Sequence, residues 1–234
     1  MKVEIHSHTN RYSPASRIPP SELVAMAEAS GYDALFITEY GKVWSAREIA
    51  GLNEMTDRLR VYPGIELTLP DGQDVLVLGA DNPVYESLST PSEVFAQACA
   101  DGYLTVLSHP FPWGETLPRY LALADAIETQ TSMHPVREHA AAQRSCVDKY
   151  QLVELFSSNA LGLNYMNRFW IETLDDFDTV QEFRRLVLAG RTVNHRRETV
   201  DDAPLTTKAS SFAELSDADL SALDYQAVDE PTRL

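Results

Sequence analysis

Cysteine is scarce: the 234 residues include two, Cys99 and Cys146, far apart in the chain. Two distant thiols cannot build the disulfide framework of a small secreted domain, and they read as reduced thiols. Long apolar runs are missing as well. No stretch reaches the roughly 20 consecutive apolar residues of a membrane-spanning helix, and the opening MKVEIHSHTN lacks the basic-then-apolar order of a secretory leader. A cytoplasmic protein with no membrane partner is expected. Positive charge is in short supply, with 19 Lys and Arg against 35 Asp and Glu and a formal net charge of −16. Nucleic-acid backbones are held by clustered Lys and Arg, so no nucleic-acid partner is expected. A small phosphorylated substrate stays open, because a metal ion can supply local positive charge. The chain also lacks internal repeats and a glycine-rich phosphate loop, Gly64 and Gly79 being isolated.

What is present is a regular alternation. With 44% hydrophobic residues, the chain can bury one sizeable core. Residues 2–6 read as a strand, and Pro19-Pro20-Ser21-Glu22 opens a helix that stops at Gly31. The run Ala34-Leu35-Phe36-Ile37-Thr38 is apolar throughout, as a strand covered on both faces requires. Helices are then expected at 44–59, 91–100, 135–149 and 179–189, with strands at 60–69, 74–80, 104–108, 126–130 and 152–156. Strands alternating with helices make parallel βα units, and about seven of them close into a barrel.

In such a barrel the chemistry stands where the strands end. The first strand runs into His6-Ser7-His8. Residues two apart on a strand share a face, so the two imidazoles point the same way. The next strand ends in Thr38-Glu39-Tyr40, the third passes through Pro63-Gly64-Ile65-Glu66, and the fourth carries Asp74. Later ends supply Ser108-His109-Pro110 and Ser157-Ser158-Asn159-Ala160. Neutral imidazoles and carboxylates gathered on one rim are ligands for zinc and for divalent iron or manganese.

The motifs His6-Ser7-His8-Thr9, Tyr32-Asp33-Ala34-Leu35-Phe36-Ile37-Thr38-Glu39, Pro63-Gly64-Ile65-Glu66 and Ser108-His109-Pro110-Phe111 resemble, in order and spacing, those of the PHP (polymerase and histidinol phosphatase) superfamily. The resemblance covers roughly residues 2–197. It implies an α/β fold, a distorted (β/α)7 TIM-like barrel, whose rim holds up to three metal ions that serve phosphate-ester hydrolysis. Several positions depart from the family pattern. Tyr40 stands where the family usually has a histidine, Ala15 where it has an aspartate, and Asn159 and Leu161 where it has a carboxylate and an imidazole. Ala15, Tyr40 and Leu161 would surround one of the three family metals, so that subsite is expected to be absent. His6, His8 and Glu66 outline a second, with Asn159 as a neutral donor. Glu66, His109 and Asp74 outline the third. One or two divalent ions, Zn, Mn or Fe, are expected.

For catalysis the candidates are Glu39, Tyr40 and His109, with Glu39 able to orient or deprotonate a water. Arg11, Arg17, Lys42, Arg168 and His134 are candidates for holding a substrate phosphate. His195 reads as an exposed turn. Residues 1–197 are expected to form the barrel, and 198–234 an acidic tail with one or two short helices and a candidate surface for a protein partner. Three functions stay open: a metal-dependent hydrolase of a small phosphate ester, a relative with other metal chemistry in which Tyr40 donates a proton, and a non-catalytic binding or scaffold protein.

Overall fold

The computed structural model describes residues 1–110, 119–133, 145 and 147–197. Its strands are β1 (Lys2–Glu4), β2 (Ala34–Tyr40), β3 (Arg60–Thr68), β4 (Asp74–Leu78), β5 (Leu104–Leu107), β6 (Ala126–Thr131), β7 (Val153–Ser157), β8 (Phe169–Thr173) and β9 (Thr192–Arg196). Helices α1 (Pro20–Ala29), α2 (Ala46–Asn53), α3 (Pro91–Asp101) and α4 (Val180–Leu188) complete the main elements. Among the described residues the strands form one sheet in the order β7-β6-β5-β4-β3-β2-β1-β8-β9. The helix expected at 135–149 lies mostly outside the described residues, and the tail at 198–234 wholly so.

The sheet curls until its ends nearly meet, giving an α/β, distorted TIM-like barrel. At the rim, Ser7 pairs in parallel with Ala160. The bonds there run from His8 N to Ala160 O and from Ala160 N to His6 O, each 3.1 Å. Lower down, the side chain of Asn194 on β9 joins β7: its Oδ1 accepts from Phe156 N at 3.0 Å and its Nδ2 donates to Glu154 O at 2.9 Å.

Side-chain alternation sorts the strands into an inside and an outside. Val3, Phe36, Leu76, Val106, Ala126, Leu155 and Ile171 point into the barrel, where Phe183 and Val187 of α4 pack against them. Outside, Leu23 and Val24 of α1 and Ile49 and Leu52 of α2 pack on Leu35 and Ile37. Val94, Phe95 and Ala98 of α3 cover Ile65, Val75, Leu107 and Ile127. Each large side chain buried this way contributes about 1.5–3 kcal/mol. The helices start on local chemistry: Ser45 with Glu48, Thr90 with Glu93 and Thr179 with Glu182 form reciprocal capping boxes.

Seven strands run one way; β4, expected among the parallel strands, and β8 run against them, as their antiparallel pairings with β3, β5, β1 and β9 show. β4 reverses because a tight turn, not a helix, follows β3. Gly72 takes φ 84 there, and Gly72 N donates to Leu69 O. Strand β8 was not anticipated. His195 lies within β9 rather than in a turn, stacked on Trp170 at 5.4 Å and 2.9 Å from Glu172 Oε2. Helix α2 is shorter than the expected 44–59.

Candidate metal centre at the barrel rim

The inward alternation continues above the apolar interior with polar residues. Leu76 and Val106 face inward, and so, two residues toward the rim, do Asp74 and Ser108. Ala126 is followed on the same face by Glu128, and Leu155 by Ser157. The same inward set on β3 delivers Glu66, fully buried beside His6 and His8.

Three donor atoms converge at the centre of this layer. His6 Nε2 and His8 Nε2 are 3.1 Å apart, and each is 3.2 Å from Glu66 Oε2. The other oxygen of Glu66 faces His109 Nε2 at 3.4 Å. Two ligands about 2.1 Å from one ion lie about 3.0–3.4 Å apart, for right-angled to tetrahedral arrangements. His6, His8 and Glu66 fit that spacing, and Glu66, Asp74 and His109 form a second group around the same carboxylate.

The remaining ring nitrogens decide which face each imidazole offers. His6 Nδ1 sits 3.0 Å from Glu128 Oε1, so a hydrogen on Nδ1 is engaged there and Nε2 is the ring atom left facing Glu66. His8 Nδ1 is 3.2 Å from Ser13 Oγ, which also accepts from Tyr40 N at 3.1 Å. With both rings neutral, two imidazole lone pairs and a carboxylate oxygen would face one another without exposure to water. Such a triangle needs positive charge, and one proton can bridge only two of its corners. A divalent cation fits it.

Burial pushes the His6 and His109 imidazoles down, but Glu66 and Glu128 more than offset it and raise both. Burial alone would push the Glu66 carboxyl up, but His6 and His109 more than offset it and hold it well below the usual carboxylate range. Burial pushes the His8 imidazole down, toward the neutral form that can act as a ligand. It also pushes the Tyr40 phenol up, helped by Glu66, Asp74 and Glu39, and lifts Asp74, helped by Glu66. Beneath the centre, burial pushes Glu4 up to about 7 despite hydrogen bonds from Ser158 and from His6 N.

No protein-family model matches the chain, and no curated protein matches it in sequence. Solved structures do resemble it. PsfC from Pseudomonas syringae aligns over 90% of this chain and 96% of its own, with 19% identity and a TM-score of 0.63. A two-domain protein from Bacteroides vulgatus, described as containing a predicted PHP-like metal-dependent phosphoesterase, aligns over 84% of this chain at 16% identity and a TM-score of 0.66. The chain has the PHP fold. The lesion-specific endonuclease EndoQ from Pyrococcus furiosus aligns over 80% of it, with 14% identity and a TM-score of 0.55. The chain spans 65% of the Bacteroides protein and 56% of EndoQ.

Within this PHP fold, the structure brings together His6, His8, Glu66, Asp74 and His109. Asn159 is beside them in the chain path, since its neighbour Ala160 bonds both His6 O and His8 N. It is 2% exposed with φ 44, and its Oδ1 has no hydrogen-bond partner. Tyr40 lies with its ring on His8, centroids 4.3 Å apart at 21°. Glu39 is held elsewhere, accepting from Thr9 N and Thr9 Oγ1 and, at 3.1 Å, from Trp44 Nε1. Of the basic candidates, Arg11 is paired with Glu48 and Lys42 with Glu86. Arg17 and Arg168 are exposed. His134 lies outside the described residues. Sequence reasoning passed over Glu128 and Glu4, both fully buried.

No helix among the described residues is long and apolar enough to cross a membrane.

Proposed function

We propose that this protein is a metal-dependent hydrolase acting on a small phosphate ester at the barrel rim. The observation that carries the reading is the buried triangle of His6 Nε2, His8 Nε2 and Glu66 Oε2. His6, His8 and Glu66 would hold one divalent ion, with Asn159 Oδ1 as a neutral donor suited by its lack of any other partner. Glu66, Asp74 and His109 would hold a second. Zn, Mn and Fe all suit this imidazole and carboxylate set. Bound there, such an ion acidifies a water and offsets negative charge on phosphoryl oxygens.

The chain's own groups do the rest. Glu66 offers one oxygen to each half of the centre and keeps both halves at a fixed separation. Tyr40, stacked on His8 and partly open to solvent, keeps its proton at neutral pH and can donate it to a substrate oxygen. Glu39, through Thr9 and Trp44, fixes the backbone that follows His8. Of the basic candidates among the described residues, Arg17 and Arg168 stand outside the pairs with Glu48 and Glu86 and would meet a phosphate. We infer a small-molecule substrate from the net charge of −16; an endonuclease among the structural neighbours makes a nucleic-acid substrate the alternative to test beside it.

The test is metal content by elemental analysis on untagged protein purified without chelator, followed by a panel of small phosphate esters with an oligonucleotide included. One to two equivalents of Zn, Mn or Fe, with both metal and divalent-dependent turnover lost in His8→Ala and Glu66→Ala, is the expected result. Turnover unchanged in those variants would refute the reading. A second reading, a non-catalytic binding protein, is favoured by Tyr40 covering one face of His8. It predicts no divalent-dependent turnover on any of the panel.

A further inference from the structure

His6 stands between two buried carboxylates, Glu66 on Nε2 and Glu128 on Nδ1. Both are fully or almost fully buried and both lie within reach of His6 and His109, so either can be counted as a ligand by proximity. Their bonding separates them. A carboxylate has about four lone-pair positions. On Glu128 four donors occupy them: Oε1 accepts from His6 Nδ1 at 3.0 Å and from Ser157 Oγ, and Oε2 accepts from Ser108 Oγ at 2.9 Å and from His109 N at 3.1 Å. Glu66, by contrast, receives no hydroxyl and no backbone N–H among the described residues; its neighbours are the Nε2 atoms of His6, His8 and His109.

We propose that Glu128 is not a ligand but the positioning residue of the centre, one carboxylate that fixes His6 from β1 and His109 after β5 together. This rests on the metal reading given above. The His6 half follows from the Nδ1 bond, which holds the ring so that Nε2 faces Glu66. Ligating histidines are commonly oriented in this way by a carboxylate on the far nitrogen. The His109 half follows from the backbone. His109 has φ 26, in a region that few residues other than glycine enter, and its N–H is tied to Glu128 Oε2. Ser108 and Ser157 brace the carboxylate from β5 and β7, so four segments around the barrel meet at one side chain. No other buried carboxylate among the described residues gathers donors from so many strands.

The experiment is a calorimetric titration of metal-free protein with Mn(II), in wild type, Glu128→Gln, Ser157→Ala and Glu66→Gln, well below each variant's unfolding temperature. Glu128→Gln keeps the shape and one acceptor but loses the charge and half of the bracing. The expected result is an unchanged number of bound ions with Kd raised roughly 10- to 100-fold. Ser157→Ala should move Kd the same way by less, and Glu66→Gln should lose bound ions outright. A Kd for Glu128→Gln within threefold of wild type would leave Glu128 a packing residue and overturn the proposal. Loss of a whole equivalent would make it a ligand and overturn it equally. If Glu128→Gln does not fold, Ser157→Ala and Ser108→Ala decide the matter, since unaltered Kd in both refutes the bracing. Wild-type protein that takes up no Mn(II), Zn(II) or Fe(II) would remove the metal reading itself, an outcome visible before any variant is compared.

Discussion

Replacing Asn194 by alanine should open the barrel along the seam between β7 and β9. The side chain makes two bonds to β7 backbone, from Phe156 N at 3.0 Å and to Glu154 O at 2.9 Å, and thereby does for the two strands what a ladder of backbone bonds does elsewhere in the sheet. Each bond contributes about 0.5–1.5 kcal/mol net, and the two backbone groups left behind are partly buried, where an unmet group costs about 1–3 kcal/mol if water cannot reach it. Water can reach these half-buried positions in part, so the expected loss is about 1–3 kcal/mol. Asn194→Asp separates the contributions: it keeps the acceptor for Phe156 N but sets a carboxylate oxygen against Glu154 O, and should cost at least as much as alanine. The assay is urea unfolding followed by circular dichroism, with amide exchange at Phe156 as the local probe. Because Ser157 and Asn159 follow on the same segment, metal affinity should fall alongside. A loss under about 0.5 kcal/mol in both variants, with Phe156 exchange unchanged, would refute this account of closure.

Other perturbations have equally definite outcomes. Glu4 holds its proton up to about 7 in the fold because it is buried, whereas an unfolded glutamate loses it near 4.5. Between those values the unfolded state binds fewer protons, so stability falls as pH rises through that window, by about 3 kcal/mol at most. Melts of wild type and Glu4→Gln at pH 4.5, 6 and 8 should therefore show the variant gaining relative to wild type as pH rises; parallel curves would remove Glu4 as the cause. Phe183→Ala empties the floor of the barrel, where its ring packs 5.0 Å from Phe36 and 5.1 Å from Phe177, and should cost about 3–5 kcal/mol in urea unfolding. Tyr40→Phe should lower turnover on a responsive phosphate ester at least tenfold while metal content stays constant; unaltered turnover would take Tyr40 out of the chemistry.

The parts of the site that could be read in advance are those that break a strand's pattern at its end. His6, His8, Glu66, Asp74 and His109 interrupt apolar runs near positions where a barrel places its rim, and the structure brings all five together. Glu128 could not be read that way, because Ala126-Ile127-Glu128-Thr129-Gln130-Thr131 looks like an ordinary half-exposed strand. Its signal was parity: it shares a face with Ala126, which points into the barrel. Arg11 and Lys42 look like phosphate-binding cations in the sequence, and only the fold shows Glu48 and Glu86 beside them. The direction of β4 was legible in Pro70-Asp71-Gly72, a turn signal between two apolar runs. Strand β8 had no such marker: it pairs with β1 at the far end of the chain and with β9 only across helix α4.

The reversed strand has a consequence for how such a centre can change. A parallel barrel strand brings one end to the rim, but the β3–β4 hairpin turns there, so the same short excursion presents Glu66 on the way up and Asp74 on the way down. Glu66 is also registered against β2, through Tyr40, and Asp74, set opposite Thr68 by the turn, is tied on its other edge to β5, where Ser108 N donates to Asp74 O at 2.9 Å. A one-residue change in strand register swaps the faces of every side chain beyond it. A slip of β4 would have to break its register with β5 as well as with β3 to turn Asp74 from the rim. The hairpin therefore couples the two acidic groups it carries to the rim: a displacement of either of its strands is felt at both.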